Sequence, residues 1–154
     1  MTPIESILPL ASRGVLSLTG GGGKTSLMFH LARLLADAGK HVLTTTTTKI
    51  FTPTVAQSET LLVDADPEAI LLQAAPLLAR TGHVTAAASR LDDDGKLKGF
   101  APEAISLFLD SGLFDWILVE ADGSARRPLK APAEHEPVIP ASTSVLIAVA
   151  GLEV

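Results

Sequence analysis

The stretch Thr19-Gly20-Gly21-Gly22-Gly23-Lys24-Thr25 carries residue types that can grip a phosphate. Glycines let the backbone approach anionic oxygens closely, and a helix starting at Lys24 would aim unpaired amides at them. Lys24 adds a mobile positive charge for outer phosphates and Thr25 a hydroxyl suited to Mg²⁺. Four adjacent glycines cost about 0.5–1 kcal/mol each in chain entropy, which a plain turn has no reason to bear. The usual phosphate loop, GxxxxGK[ST], begins five places before its Gly-Lys pair, and here that place is Leu18. The shorter loop assigns phosphate binding to Gly20, Gly21, Gly22, Gly23, Lys24, Thr25 and Ser26. A dinucleotide reading, GxGxxG from Gly20, would need glycine where Thr25 stands, and no acid closes the following strand at the usual distance.

A second constellation lies far along the chain. Glu120 and Asp122 sit two apart where an apolar run, Trp116 to Ala121, ends. If the strand reaches Asp122, both side chains leave on one face, at the edge where parallel sheets bind ligands. A carboxylate there can hold Mg²⁺ or position an attacking group; alternatively one acid caps a turn and the other pairs with Arg126 or Arg127. The candidate metal ligands are Thr25, Glu120 and Asp122. In the proline-rich stretch that follows, Arg126 and Arg127 could neutralise phosphate charge and His135 could act as acid, base or ligand, although an exposed charged loop would show the same composition.

Other polar clusters carry weaker expectations. Thr44 to Thr48 place hydroxyls at the end of a second strand, mainly a strand-forming choice, with Lys49 as a reserve candidate. The stretch LDDDG lacks the alternating acids of a calcium loop and reads as a hairpin turn. His30, His41 and His83 show no ligand spacing.

The positioning elements follow from periodicity. Val15 to Thr19 is a short buried strand, and Leu27, Met28, Leu31, Leu34 and Leu35 make one helical face over Lys24 to Ala38, stopped by Gly39. HVLTTTTTKI continues as a parallel strand. A third strand stops at Asp64, and the helix after Asp66 and Pro67 is expected to bend at Pro76. Gly82 to Phe100 reads as two strands about an Asp-Gly turn, a β-hairpin inserted near residues 83–100. Pro102 opens another helix closed by Gly112, and Trp116 to Ala121 and Thr143 to Ala150 are strands. The alternation predicts an α/β fold with a mostly parallel, doubly wound sheet of P-loop NTPase type.

The whole is expected to be a single nucleotide-binding domain over residues 1–154, with 47% hydrophobic residues and 4% aromatics. A net charge of −5 without a basic stripe argues against nucleic acid. No cysteine is present, which excludes disulfides and thiolate chemistry and fits a reducing compartment. The start lacks a signal core, and no apolar run approaches the roughly 20 residues that span a bilayer. The expectation is a soluble cytoplasmic protein with no membrane partner.

TGGGGKT is similar to the TGxxGK[ST] loop of Mur-type peptide ligases. Together, LTGGGGKTSLM, VLTTTTTKI and VEADGSARRPLKAPAEHEPVIP resemble the YqeC family, accessory proteins associated with selenium-dependent molybdenum hydroxylases; the last segment is the most specific. The resemblance implies a P-loop protein binding ATP or GTP with Mg²⁺ that helps to mature such a hydroxylase. It carries over Gly20 to Thr25 as the loop, Glu120 and Asp122 as the acidic pair, and Arg127, Lys130, Glu134, His135 and Glu136 in the proline-rich segment. Lys24, Glu120, Asp122, Arg127 and Lys130 are then the candidate catalytic residues. Phosphoryl transfer or nucleotide hydrolysis, by a hydrolase, kinase or ligase-like step on a selenium or molybdopterin species, is one reading. The other is a nucleotide-gated binding protein or chaperone docking on the hydroxylase. Family members usually continue beyond the point matching Val154, so a C-terminal continuation is expected to be missing here.

Overall fold

The computed structural model describes residues 6, 13–92, 95–122 and 137–152. In chain order the elements are β1 (Gly14–Gly20), α1 (Lys24–Asp37), β2 (Val42–Thr46), β3 (Lys49–Phe51), β4 (Leu61–Val63) and α2 (Pro67–Thr81), then β5 (His83–Ala87), β6 (Ser89–Arg90), β7 (Lys96–Lys98), α3 (Pro102–Asp110), β8 (Trp116–Glu120) and β9 (Val145–Val149). Six strands form one sheet in the order β4-β5-β2-β8-β1-β9, and every pairing in it is parallel.

Alternation along the strands feeds two cores. Leu16, Leu18, Trp116 and Leu118 face one side and pack on Met28, Leu31 and Leu35 of α1. Val15, Leu43, Ile117 and Val119 face the other, against Ile70, Ala74 and Leu78 of α2 and Ile105 and Phe108 of α3. Helices therefore cover both faces, as a doubly wound α/β sheet requires. Asp66 caps α2 by accepting from the Glu68 amide, with Pro67 opening the helix, and Gly82 ends it with a left-handed φ of 73°. α2 runs as one helix through Pro76 to Thr81.

The inserted hairpin is smaller than the composition predicts. His83–Ala87 is a parallel strand of the main sheet, seated between β2 and β4 and buried from Val84 to Ala87. The antiparallel hairpin is only β6 with β7, and β3 joins it to make a second, three-stranded sheet. Small apolar residues in β5 permit burial between two neighbours, a partnership that local alternation does not distinguish from a hairpin arm.

The neighbouring strands β1 and β8 send their connections opposite ways. β1 leads to β2 beyond β8, and β8 leads to β9 beyond β1. Such a reversal opens a crevice at the carboxyl ends of the strands. The register brings Leu18 of β1 and Thr46 of β2 level with Glu120 of β8, so β2 and β8 finish together and β1 runs two residues further, to Gly20.

Candidate functional site

At that edge β1 hands over to α1 through the glycines. Gly20 has φ of 105°, and a Cβ there would lie 2.3 Å from the Val149 carbonyl oxygen, so both conformation and space demand glycine. Gly23 is the N-cap of α1 with φ of 98° and no capping side chain. Two loop amides are used inside the protein: Gly20 N–H donates to Asp122 Oδ2 at 3.1 Å, and Gly21 N–H to the Val149 carbonyl at 2.7 Å. The first helical bond of α1 runs from Leu27 N–H to Gly23 O. Among the described residues, the amides from Gly22 to Ser26 donate to no protein acceptor. The part of the predicted loop able to cradle an anion is thus Gly22 to Ser26, while Gly20 and Gly21 fix its shape.

Lys24 and Asp122, 98 positions apart, meet in a buried ion pair. Lys24 Nζ donates to Asp122 Oδ1 at 2.5 Å and to the Gly20 carbonyl at 2.7 Å, with side chains 1% and 4% exposed. Thr25 Oγ1–H donates to Glu120 Oε2 at 2.7 Å. Burial pushes the Glu120 carboxyl above its ordinary range, aided by the nearby Asp122 and opposed by the Thr25 hydrogen bond and the Lys24 charge. Both acids meet the start of α1, although the strand stops at Glu120, short of the Asp122 on which the same-face expectation depends. Asp122 takes a cation from the loop, Lys24; Arg126 and Arg127, the other candidate partners of the acids, lie outside the described residues.

Thr25, Glu120 and Asp122 together present only oxygen donors, the set that suits a hard cation such as Mg²⁺. Among the described residues no group of three or more His, Cys, Asp or Glu side chains could hold a metal. The donor set fits Mg²⁺ held by one or two protein oxygens together with phosphate, rather than by a protein cage. Ser26 is exposed on the first turn of α1. Arg126, Arg127, Lys130, Glu134, His135 and Glu136 lie outside the described residues.

The threonine run is structural for the most part. Thr44 Oγ1 lies 2.7 Å from Thr85 Oγ1 and 2.9 Å from His83 Nε2, and Thr45 Oγ1 donates to the Ala86 carbonyl. Thr46 Oγ1 and Thr47 N–H both donate to the Glu120 carbonyl, bracing the acid's backbone from the neighbouring strand. Burial holds His83 far below its usual range, at about 4, so its imidazole is neutral at pH 7. Lys49 is exposed in β3. Sequence reasoning missed Val149, whose carbonyl anchors Gly21; nothing local to a terminal strand points to that contact.

These features define an α/β protein whose parallel sheet gathers a glycine loop, a buried lysine and two acids at the carboxyl ends of adjacent strands. The chain belongs to the YqeC family: the family model described as YqeC protein matches residues 16–154. It is 46% identical over 138 residues to a protein of Escherichia coli (strain K12) described as "Uncharacterized protein YqeC", an alignment covering 89% of this chain and 51% of the other. The chain thus spans about half the length of that curated relative. No solved structure matches it. Among the described residues no helix is long and apolar enough to cross a membrane.

Proposed function

We propose that this chain is a P-loop nucleotide-binding domain that takes ATP or GTP with Mg²⁺ and serves the maturation of a selenium-dependent molybdenum hydroxylase. The observation that carries the nucleotide reading is the cluster at the start of α1: amides from Gly22 to Ser26 with no acceptor among the described residues, beside the bonded pairs Lys24–Asp122 and Thr25–Glu120. The maturation role rests on the family resemblance of the loop, the threonine strand and the proline-rich segment.

In this reading the amides and Lys24 bind and orient the phosphates, and Thr25 with Glu120 or Asp122 holds Mg²⁺, which neutralises phosphate charge when bound. Arg127 or Lys130 would meet the acceptor, a selenium or molybdopterin species. Because burial raises the Glu120 carboxyl, a cation there competes with a proton, so Mg²⁺-dependent binding strengthens as pH rises through that range. Calorimetric titration with ATP and with GTP, each with Mg²⁺, tests the proposal. Wild type should bind at least one nucleotide, and Lys24→Ala about tenfold or more weakly. Equal affinity in both would remove Lys24 from the site.

One observation favours the gated alternative. Lys24 is already engaged by Asp122, so an arriving phosphate would compete with a buried carboxylate for it, and release of Asp122 would give the end of β8 a second way to be held. Two such arrangements are what a nucleotide-gated docking protein needs. Turnover that is slow alone and rises when the hydroxylase is added would favour this version.

A further inference from the structure

The small antiparallel sheet concentrates cations in an otherwise acidic chain. Its strands hold Lys49, Arg90, Lys96 and Lys98 and no acid, while the whole chain carries a net charge of −5. Ile50 lies opposite Leu97 and both are buried, so Lys49, Lys96 and Lys98 project from the other face. Lys49 stands directly opposite Lys98, an arrangement of like charges that costs stability unless an anion joins them. Among the described residues neither lysine has a carboxylate within ion-pair distance, since Lys24 and Asp122 form the only such pair. Lys96 lies over the Phe51 ring, 4.9 Å from its centroid.

Lys98 also lines a cavity of about 500 Å³, within the range of metabolite sites. Thr47 and Thr48 reach it from the end of β2, and Ala88, Phe100 and Ala104 supply apolar wall. The Thr48 hydroxyl has a long 3.3 Å contact with that of Thr46. The cavity adjoins the glycine-loop edge through Thr46 and Thr47, both of which bond the Glu120 carbonyl.

We propose that this cavity is a second ligand site, for a small molecule with a phosphate or carboxylate on a flat apolar body. The anion meets Lys98, with Lys49 beside it and the Thr48 hydroxyl in reach, the Thr47 hydroxyl being spent on the Val138 carbonyl; the body lies against Phe100 and the alanines. The site is separate from the glycine loop and stands without the nucleotide reading.

Fluorescence titration with 1-naphthyl phosphate, which carries both parts, tests it, with inorganic phosphate as the anion-only comparison. Saturable binding is expected, tighter than that of inorganic phosphate, and undiminished by excess ATP and Mg²⁺. Lys98 is exposed, so its variants should fold. Lys98→Ala should bind about tenfold more weakly and Lys98→Arg close to wild type. A Lys24→Met/Asp122→Asn variant, altered only at the glycine loop, should bind as wild type does. Absence of saturable binding, or wild-type affinity in Lys98→Ala, overturns the proposal. Loss confined to the Lys24 variant also overturns it, by placing the anion in the glycine loop, and leaves the nucleotide reading standing.

Discussion

Removing one partner of the Lys24–Asp122 pair should unfold this protein more readily than removing both. Each side chain is almost wholly buried, and the salt bridge is reinforced by Lys24 donating to the Gly20 carbonyl and by the Gly20 amide donating to Asp122. Lys24→Met leaves a carboxylate with one backbone donor in a low-dielectric pocket; Asp122→Asn leaves an ammonium facing a carbonyl and an amide side chain. Breaking such a pair from one side costs about 3–5 kcal/mol, whereas replacing both charges is often neutral. For a chain of this size, each kcal/mol moves the melting temperature by about 2–4 °C, so either single variant should melt roughly 6–20 °C lower. The double variant should recover most of that loss. A double-mutant cycle in urea, with the midpoints converted through a common slope, measures the coupling directly. If the two losses simply add, the pair is not coupled and the buried geometry described here is wrong. The cycle also has a practical use, since it supplies a folded protein lacking Lys24 with which nucleotide affinity can be compared.

His83 stays neutral inside the fold, at about 4 against 6.5 when unfolded, so the unfolded chain binds the extra proton between those values. Stability linked to His83 is complete above pH 6.5 and is lost as pH falls towards 4, by at most about 3 kcal/mol at 1.36 kcal/mol per unit. Denaturation at pH 7 and pH 4.5 should show a shallower loss in His83→Gln than in wild type; equal losses would contradict the burial of the ring. Gly20→Ala should cost about 2–5 kcal/mol, because the added methyl meets the Val149 carbonyl as well as an unfavourable positive φ. Gly39→Ala, at a φ of 84° with open space around it, should cost only about 1–2 kcal/mol, and equal losses would refute the close approach of β9 to the loop.

Much of the site was legible because its parts are local. A short apolar strand, consecutive glycines and an amphipathic helix specify a βα turn with exposed amides, since each depends on neighbours within a few positions. The two acids were legible as a pair because they follow an apolar strand at a spacing of two. Local spacing also misled: Val84 to Ala87 has the composition of a hairpin arm and is a central parallel strand. Lys49 was only a reserve candidate and Lys98 was unremarkable in sequence, and only the pairing of β3 with β7 sets them side by side.

By itself, the sequence determined the α/β alternation, the glycine loop with its lysine and threonine, and the presence of two carboxylates at a strand end. The tertiary structure alone decided that β8 lies beside β1, that Asp122 rather than another acid neutralises Lys24, and that Val149 closes over Gly20. Parallel strands pair across long crossovers, so which strand ends share an edge is set by the packing of helices on both faces of the sheet, and no short window of residues records that choice.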